Sequence, residues 1–241
     1  MKQAVILAGG LGTRMLPLTS RVPKLLLPVA GRPFAAWLLE RLAAQGFDEA
    51  LICIAHLGEM IRDEVGDGRA FGIAARYADE GPELLGTAGA LRRALPDLAP
   101  TFLVTYGDSY LPFDYAAPLA DLDAHPEAEG TMAVFKNDDR WDRSNTTIAG
   151  VNVAHYAKRA RDAAPDPAIA HIDYGATALR REVIAALLDG VALGLDMVQG
   201  DLAAAGVLRA FVAPRRFFEI GSPEGLADLE AELTREKGSS R

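Results

Sequence analysis

Between Leu7 and Lys24 the chain reads LAGGLGTRMLPLTSRVPK, with glycines at 9, 10 and 12, cations at Arg14, Arg21 and Lys24, and no carboxylate. Glycines so spaced let a backbone turn sharply and bring bare N–H groups up to an anion. Arg14 adds a planar fork suited to two oxygens, and Lys24 a compact point charge. Pro23 fixes the chain just before that lysine. The chemistry such a segment points to is phosphate binding. It is not a Walker loop, because G-x-x-x-x-G-K-[ST] does not occur, and Met15 stands where a dinucleotide fingerprint needs its third glycine. A plain turn with solvated cations accounts for Gly-Gly alone, but not for the whole segment.

The charge distribution agrees. The chain has 241 residues and a net charge of −8, which disfavours nucleic acid as a partner. Yet residues 1–39 carry Lys2, Arg14, Arg21, Lys24 and Arg32 and not one acid; Glu40 is the first. A local positive field in an acidic protein fits a small, highly charged anion. Cys53 is the only cysteine, so neither a disulfide framework nor a cysteine metal cage is expected. It sits in LICIA, a buried-strand pattern, where packing is its expected role. No apolar run reaches the roughly 18–20 residues of a membrane helix. AVILAGG reads as a strand, not a signal peptide. A reducing cytoplasm is the expected setting.

These residues need a frame. QAVILA, ALICIA, IAARYAD and TFLVTY read as strands, and PFAAWLLERLAAQG, LGEMIRDEV and TAGALRRAL as helices between them, Thr87 being the expected N-cap of the last. Such alternation predicts an α/β fold with a parallel sheet covered on both faces. Ligands on such sheets sit at the carboxyl ends of the strands, so the opening loop and Gly107-Asp108-Ser109 should share one rim. The second half is less regular. GTMAVFKN, TTIAGVNVAHYAKR and IAHIDYGATAL are expected strands, including antiparallel pairs. VLRAFVA is a last strand and SPEGLADLEAELTREK a terminal helix.

LAGGLGTRMLPLTSRVPKLLLPVAGRPF resembles the signature of sugar-1-phosphate nucleotidyltransferases, in which LAGG-x-GTR, PLT, PK and G-x-P recur in order. The resemblance continues through GPELLGTAGALRRAL, YGDSY, HYAKR, IDYGATALRREVI and RFFEIGSPEGL, covering the chain from Met1 to about Leu233. It implies a three-layer α/β/α, Rossmann-like nucleotidyltransferase domain with a mainly parallel sheet and a small antiparallel sugar-side subdomain. Residues 1–236 would be one domain, split into a nucleotide-binding half (1–110) and a sugar-binding half with the C-terminal helix (111–236), before a tail at 237–241.

The implied reaction joins an NTP to a sugar 1-phosphate, giving an NDP-sugar and pyrophosphate, with Mg²⁺ as cofactor. The attacking phosphate oxygen is already ionised, so no general base is required. By matching, Arg14, Lys24 and Asp108 would be catalytic. Leu7, Ala8, Gly9, Gly10, Leu11, Gly12 and Thr13 would cradle the triphosphate, and Gly86, Thr87 and Gly89 would lie beneath the base. Lys158, Asn145, Asp173 and Gly175 would bind the sugar phosphate. Asp108 and Glu219 would hold the metal. Glu219 departs from the family, which usually has aspartate there, and a polar residue before a helix cap is its alternative reading. Ala157 replaces the acid that often precedes the lysine of HYAKR. LGTAGAL resembles guanylyltransferases acting on mannose or heptose 1-phosphate more than the thymidylyl type, where a glutamine often reads the pyrimidine, which favours GTP; GTA also occurs in uridylyltransferases, so a uridylyl- or thymidylyltransferase on a different hexose 1-phosphate is the alternative. A homodimer is left open.

Two rivals differ in class. A non-catalytic regulator of the same fold tends to lose the cationic or metal residues, whereas Arg14, Lys24 and Asp108 are all present here. A metal-dependent glycosyltransferase shares the strand-end carboxylate but does not need LAGG-x-GTR and PK.

Overall fold

Along Gln3–Leu7, Ala4 and Ile6 point into one apolar layer and Val5 into the other, as the two-residue period of a central strand requires. The computed structural model describes residues 1–10, 12, 15, 17–81, 83–160 and 162–239, without the side chains of 237–239. The first half runs β1 (Gln3–Leu7), β2 (Pro28–Val29), β3 (Arg32–Pro33), α1 (Phe34–Ala44), β4 (Glu49–Ile54), α2 (Gly58–Val65), β5 (Ala74–Asp79), α3 (Gly86–Arg93), β6 (Thr101–Tyr106) and β7 (Ser109–Tyr110). The second runs α4 (Ala116–Ala124), β8 (Gly130–Lys136), β9 (Thr146–Ala149), β10 (Asn152–Tyr156) and β11 (His171–Arg180). It ends with α5 (Arg181–Ala185), α6 (Leu195–Ala204), β12 (Leu208–Val212), β13 (Phe218–Glu219) and α7 (Pro223–Ser239).

One nine-stranded sheet, ordered β5-β4-β1-β6-β11-β8-β12-β10-β9, crosses both halves. The first four strands are parallel. β11 then enters antiparallel to both β6 and β8. The antiparallel strands expected on the sugar side therefore extend the first half's own sheet. One face is covered by Phe34, Leu38 and Leu42 of α1, Ile61 of α2, Leu122 of α4 and Leu229 of α7. The other is covered by Leu91 of α3, Ile184 of α5 and Val198 and Leu202 of α6. Each buried Leu or Ile side chain is worth about 1.5–3 kcal/mol of transfer free energy.

The structure corrects two local readings. TTIAGVNVAHYAKR is a hairpin, β9 and β10 antiparallel, because Gly150 adopts φ +61° and turns the chain back. Thr87 is not an N-cap. The helix starts at Gly86, and Thr87 Oγ1 instead accepts the Leu195 N–H at 2.7 Å, tying α3 to the start of α6.

Candidate active site

Three strand ends build one rim. β1 delivers Ala8 and Gly9, β5 delivers Glu80, and β6 delivers Gly107 and Asp108. The strand-end loops are laced together: Ala8 N–H donates to Cys53 O and Gly107 N–H to Leu7 O, both at 2.9 Å. The cleft between them is lined by Leu7, Ala8, Gly9, Gly10, Gly12, Lys24, Gly86, Thr87 and Asp108 among the residues expected there. Leu11, Thr13 and Arg14 lie outside the described residues. Gly89 is turned away from the cleft; a Cβ there would meet Leu85 Cβ at 2.5 Å and the Val191 carbonyl at 3.2 Å.

Lys24 opens a short 3-10 turn, Lys24–Leu26, after Pro23 in extended backbone. Its Nζ donates to Asp108 Oδ2 at 2.7 Å. Of the other described cations in the acid-free stretch, Lys2 and Arg21 are exposed, and Arg32 is bound by both carboxylate oxygens of Glu40. Among the described residues the positive charge at the cleft is therefore Lys24, not a general field from the whole segment.

A second, polar cavity adjoins the first, and Thr87, Tyr106 and Asp108 line both. Asn145, Lys158, Asp173, Gly175 and Glu219 all line it, so the residues expected for sugar phosphate and metal converge in space. Their supports are visible. β11 bulges between Asp173 and Thr177, where Gly175 has φ +92°. Bulges re-aim side chains in this way. The Asp173 carboxylate accepts from Gly175 N–H at 2.9 Å and from Tyr156 Oη–H at 3.2 Å. Burial pushes the Asp173 carboxyl up, and those two donors oppose the shift. Asn145 Oδ1 accepts the Asp173 N–H and the Thr146 Oγ1–H, both at 2.9 Å. Lys158 is exposed at the rim.

Glu219 arrives from the far end of the chain. β13 pairs with β7, setting Glu219 opposite Ser109, and Ile220 N–H donates to Asp108 O at 2.9 Å. The electrostatics follow. Burial raises the Tyr106 phenol, and Asp173, Asp196, Asp108 and Glu219 all raise it further. Four carboxylates thus act on one half-buried ring where the two cavities join.

Hard oxygen donors of this kind suit Mg²⁺, which is typically held by one or two carboxylates plus substrate phosphates. In the ligand-free chain the Lys24 ammonium supplies the positive charge next to Asp108. Among the described residues no group of three or more His, Cys, Asp or Glu is placed to hold a metal ion; Asp108 and Glu219 are carboxylates lining this cavity beside the strand end, a number compatible with a metal completed by substrate oxygens.

Sequence reasoning did not single out Glu80, Asp196 or Tyr106. Glu80 had a readable signal, an acid immediately after a parallel strand and hence on the ligand rim. Asp196 had none, since the return of α6 to that rim is a matter of tertiary packing.

Comparison with known proteins gives the same direction. The nucleotidyl transferase family model matches residues 3–145. An N-acetylmuramate alpha-1-phosphate uridylyltransferase from Neisseria meningitidis is 44% identical over 126 residues, 52% of this chain and 54% of that protein. A mannose-1-phosphate guanylyltransferase from Mycobacterium tuberculosis is 28% identical over 96% of this chain and 64% of its own length. The chain thus spans less than two thirds of these curated relatives. The crystal structure of HddC from Yersinia pseudotuberculosis, complexed with GMP-PN, superposes with a TM-score of 0.79 at 25% identity, over 97% of this chain and all of that one. With the family model matched across more than half of its length, the chain belongs to the nucleotidyl transferase family.

Proposed function

We propose that the chain transfers a nucleotidyl group from an NTP, GTP in preference, to a sugar 1-phosphate of the mannose or heptose type, releasing pyrophosphate. The carrying observation is the Lys24–Asp108 pair at the junction of the two cavities, one glycine-lined and one polar. A reaction between two phosphate esters needs this arrangement of two pockets meeting at one charged seam.

The obstacle is repulsion between a sugar-phosphate dianion and a triphosphate. At an effective dielectric of about 20, each unit charge pair at 4 Å is worth roughly 4 kcal/mol. Lys24 would bridge the α-phosphate and the incoming phosphate. Backbone N–H groups of the Gly9–Gly12 segment would hold the triphosphate. Lys158, at the other rim, would grip the sugar phosphate, and the Asn145 amide nitrogen would meet a sugar hydroxyl. Asp108 and Glu219 would hold Mg²⁺, which supplies compact positive charge to phosphate oxygens. Arg14 would hold the departing pyrophosphate. Catalysis would then be positioning plus charge neutralisation, without a general base.

The preference for GTP is supported by the likeness to a guanylyltransferase across 96% of this chain and by the GMP-PN of HddC. The 44% likeness to a uridylyltransferase over 52% of this chain favours UTP as the second reading. No helix among the described residues is long and apolar enough to cross a membrane, and a cytoplasmic setting forms part of the proposal. The test is pyrophosphate release from purified protein with Mg²⁺, four NTPs, and mannose, glucose, N-acetylglucosamine and heptose 1-phosphates. Release with one pair upholds the reading. Tight NDP-sugar binding with no release from any pair overturns it in favour of a regulator.

A further inference from the structure

The polar cavity has a thin wall. The loop between β8 and β9, residues 137–145, carries Asp142, Arg143 and Asn145 to that cavity. Asp142 and Arg143, together with Phe217 and Glu219, also line a further cavity of about 630 Å³ behind it. These four residues therefore form a partition with open space at its back. Close packing cannot hold such a partition in place, so something else must.

Arg216 meets that need. It lines the rear cavity and not the polar one, and its side chain is 19% exposed. Its guanidinium carbon stands 3.8 Å from the ring centre of Trp141 and 4.1 Å from that of Phe218. Asp228 of α7 accepts from its Nη2. The Tyr174 hydroxyl of β11 donates to the Arg216 carbonyl at 3.4 Å. One residue thus joins the loop, β13, α7 and β11. Trp141 is 51% exposed, so burial alone does not fix the tip of the loop.

The loop is internally rigid. Asn137 Nδ2 donates to Asp142 O at 2.7 Å, Trp141 N–H to Asn137 Oδ1 at 3.2 Å, and Ser144 N–H to Asp139 Oδ1 at 2.7 Å. Asn137 and Ser144 are fully buried. Asp138 and Asp139 adopt φ +47° and +57°, a left-handed pair that persists only where its surroundings enforce it. With its inner geometry fixed, the loop has one thing left to set: how closely it leans on β13.

We propose that Arg216 is a positioning residue, its guanidinium stacking on Trp141 and Phe218 to hold the 137–145 loop against β13, so that Asn145 and Arg143 on one side and Glu219 on the other face the acceptor sugar phosphate as a single surface. The substrate named here rests on the transfer reading. A flat guanidinium can meet two rings and a carboxylate together, which a lysine ammonium does not reproduce. The nucleotide cleft is built from other strand ends, so Arg216 should act on the sugar and not on the NTP.

The test uses Arg216→Met, Arg216→Lys and Trp141→Leu, with the NTP and sugar 1-phosphate that the panel identifies. Arg216→Met should raise the KM for the sugar 1-phosphate about 10-fold, the worth of one well-packed cation–ring contact, and leave the KM for the NTP unmoved. Trp141→Leu should do the same. The double variant should be no worse than the more damaged single, as expected for two halves of one contact. Arg216→Lys keeps a charge for Asp228 but not the plane, and should not restore the KM. An NTP KM that rises in step, additive losses, or full rescue by lysine each overturn the role of Arg216 while transfer stands. If no pair is turned over, the transfer reading falls, and the clamp is judged by fluorescence in a Trp37→Phe background, where Trp141 is the one tryptophan left. Acrylamide quenching of Trp141 should then rise in Arg216→Met, and unchanged quenching overturns the clamp. If Arg216→Met does not fold, a sugar KM unmoved in Trp141→Leu overturns the proposal.

Discussion

Lys24 Nζ and Asp108 Oδ2 meet at 2.7 Å across 84 residues of chain, with side chains 15% and 26% exposed. The cation proposed for phosphate and the carboxylate proposed for metal hold each other in this structure. On the proposed reading, substrate and Mg²⁺ would exchange this contact for their own. The pair therefore keeps both groups poised without leaving either charge bare in a half-buried site, where an unpaired charge is costly.

Lys24→Met and Asp108→Asn should each lower turnover about 10²–10³-fold, the usual effect of removing one donor or anchor aimed at the reacting phosphates. The double variant should melt higher than at least one single variant, because each single change strands the other charge. Thermal melts and pyrophosphate release check both parts. Near-normal turnover in either single variant removes that residue from the mechanism.

Chelation with EDTA should abolish pyrophosphate release, and added Mg²⁺ should restore it. Glu219→Gln should raise the Mg²⁺ concentration for half-maximal rate by about 10-fold, the size expected when a metal site loses a supporting carboxylate. A Mg²⁺ titration unchanged in that variant would show that Glu219 is a cap-proximal polar residue.

Gly9→Ala should act through Glu80. The added methyl would fall 2.2 Å from Glu80 Oε1, the movable end of a side chain rather than backbone. The carboxylate should swing away at a stability cost within about 1 kcal/mol. The KM for GTP should rise, because both residues line the nucleotide cleft. An unmoved KM would exclude the effect.

Stability should carry a pH signature from Glu80. Burial pushes its carboxyl up to about 7 in the folded chain, against 4.5 as a reference. Between those values the folded state binds more protons than the unfolded one, so stability falls as pH rises, by at most about 3 kcal/mol. The ligand-free wild type should therefore lose ground to Glu80→Gln between pH 5 and pH 8. Melting curves of both proteins across that range give the answer, and parallel curves would exclude the effect.

The nucleotide side was legible in the sequence because its signals are local. Buried runs such as AVIL and ALICI can only be strands between glycines and helices, and each parallel strand end marks the ligand rim. Asp108 was readable for that reason, and so was Glu80 in principle. The sugar side was harder. Asn145, Asp173 and Lys158 converge only because β11 inserts between β6 and β8, and because β9 and β10 fold back at Gly150. Neither event leaves a short-range pattern. The α4 segment AAPLADLDA escaped because Pro118 sits inside it, although it packs Leu119 and Leu122 into the core. Thr87 looked like a cap because threonine often is one; its hydroxyl serves α6 instead.

The ladder between Ser109–Tyr110 and Phe218–Glu219 has a consequence for synthesis. On the ribosome the first half can reach its parallel pairing early, but the strand beside Asp108 has nothing to pair with among the described residues until Phe218–Glu219 has left the exit tunnel. Ile220, whose amide ties down the Asp108 carbonyl, comes later still. A stalled or truncated product ending before this point would carry the phosphate loop and Lys24 without the finished seam. Such fragments should capture nucleotide without turning it over, because the seam beside Asp108 is completed only once residues 218–220 have been made.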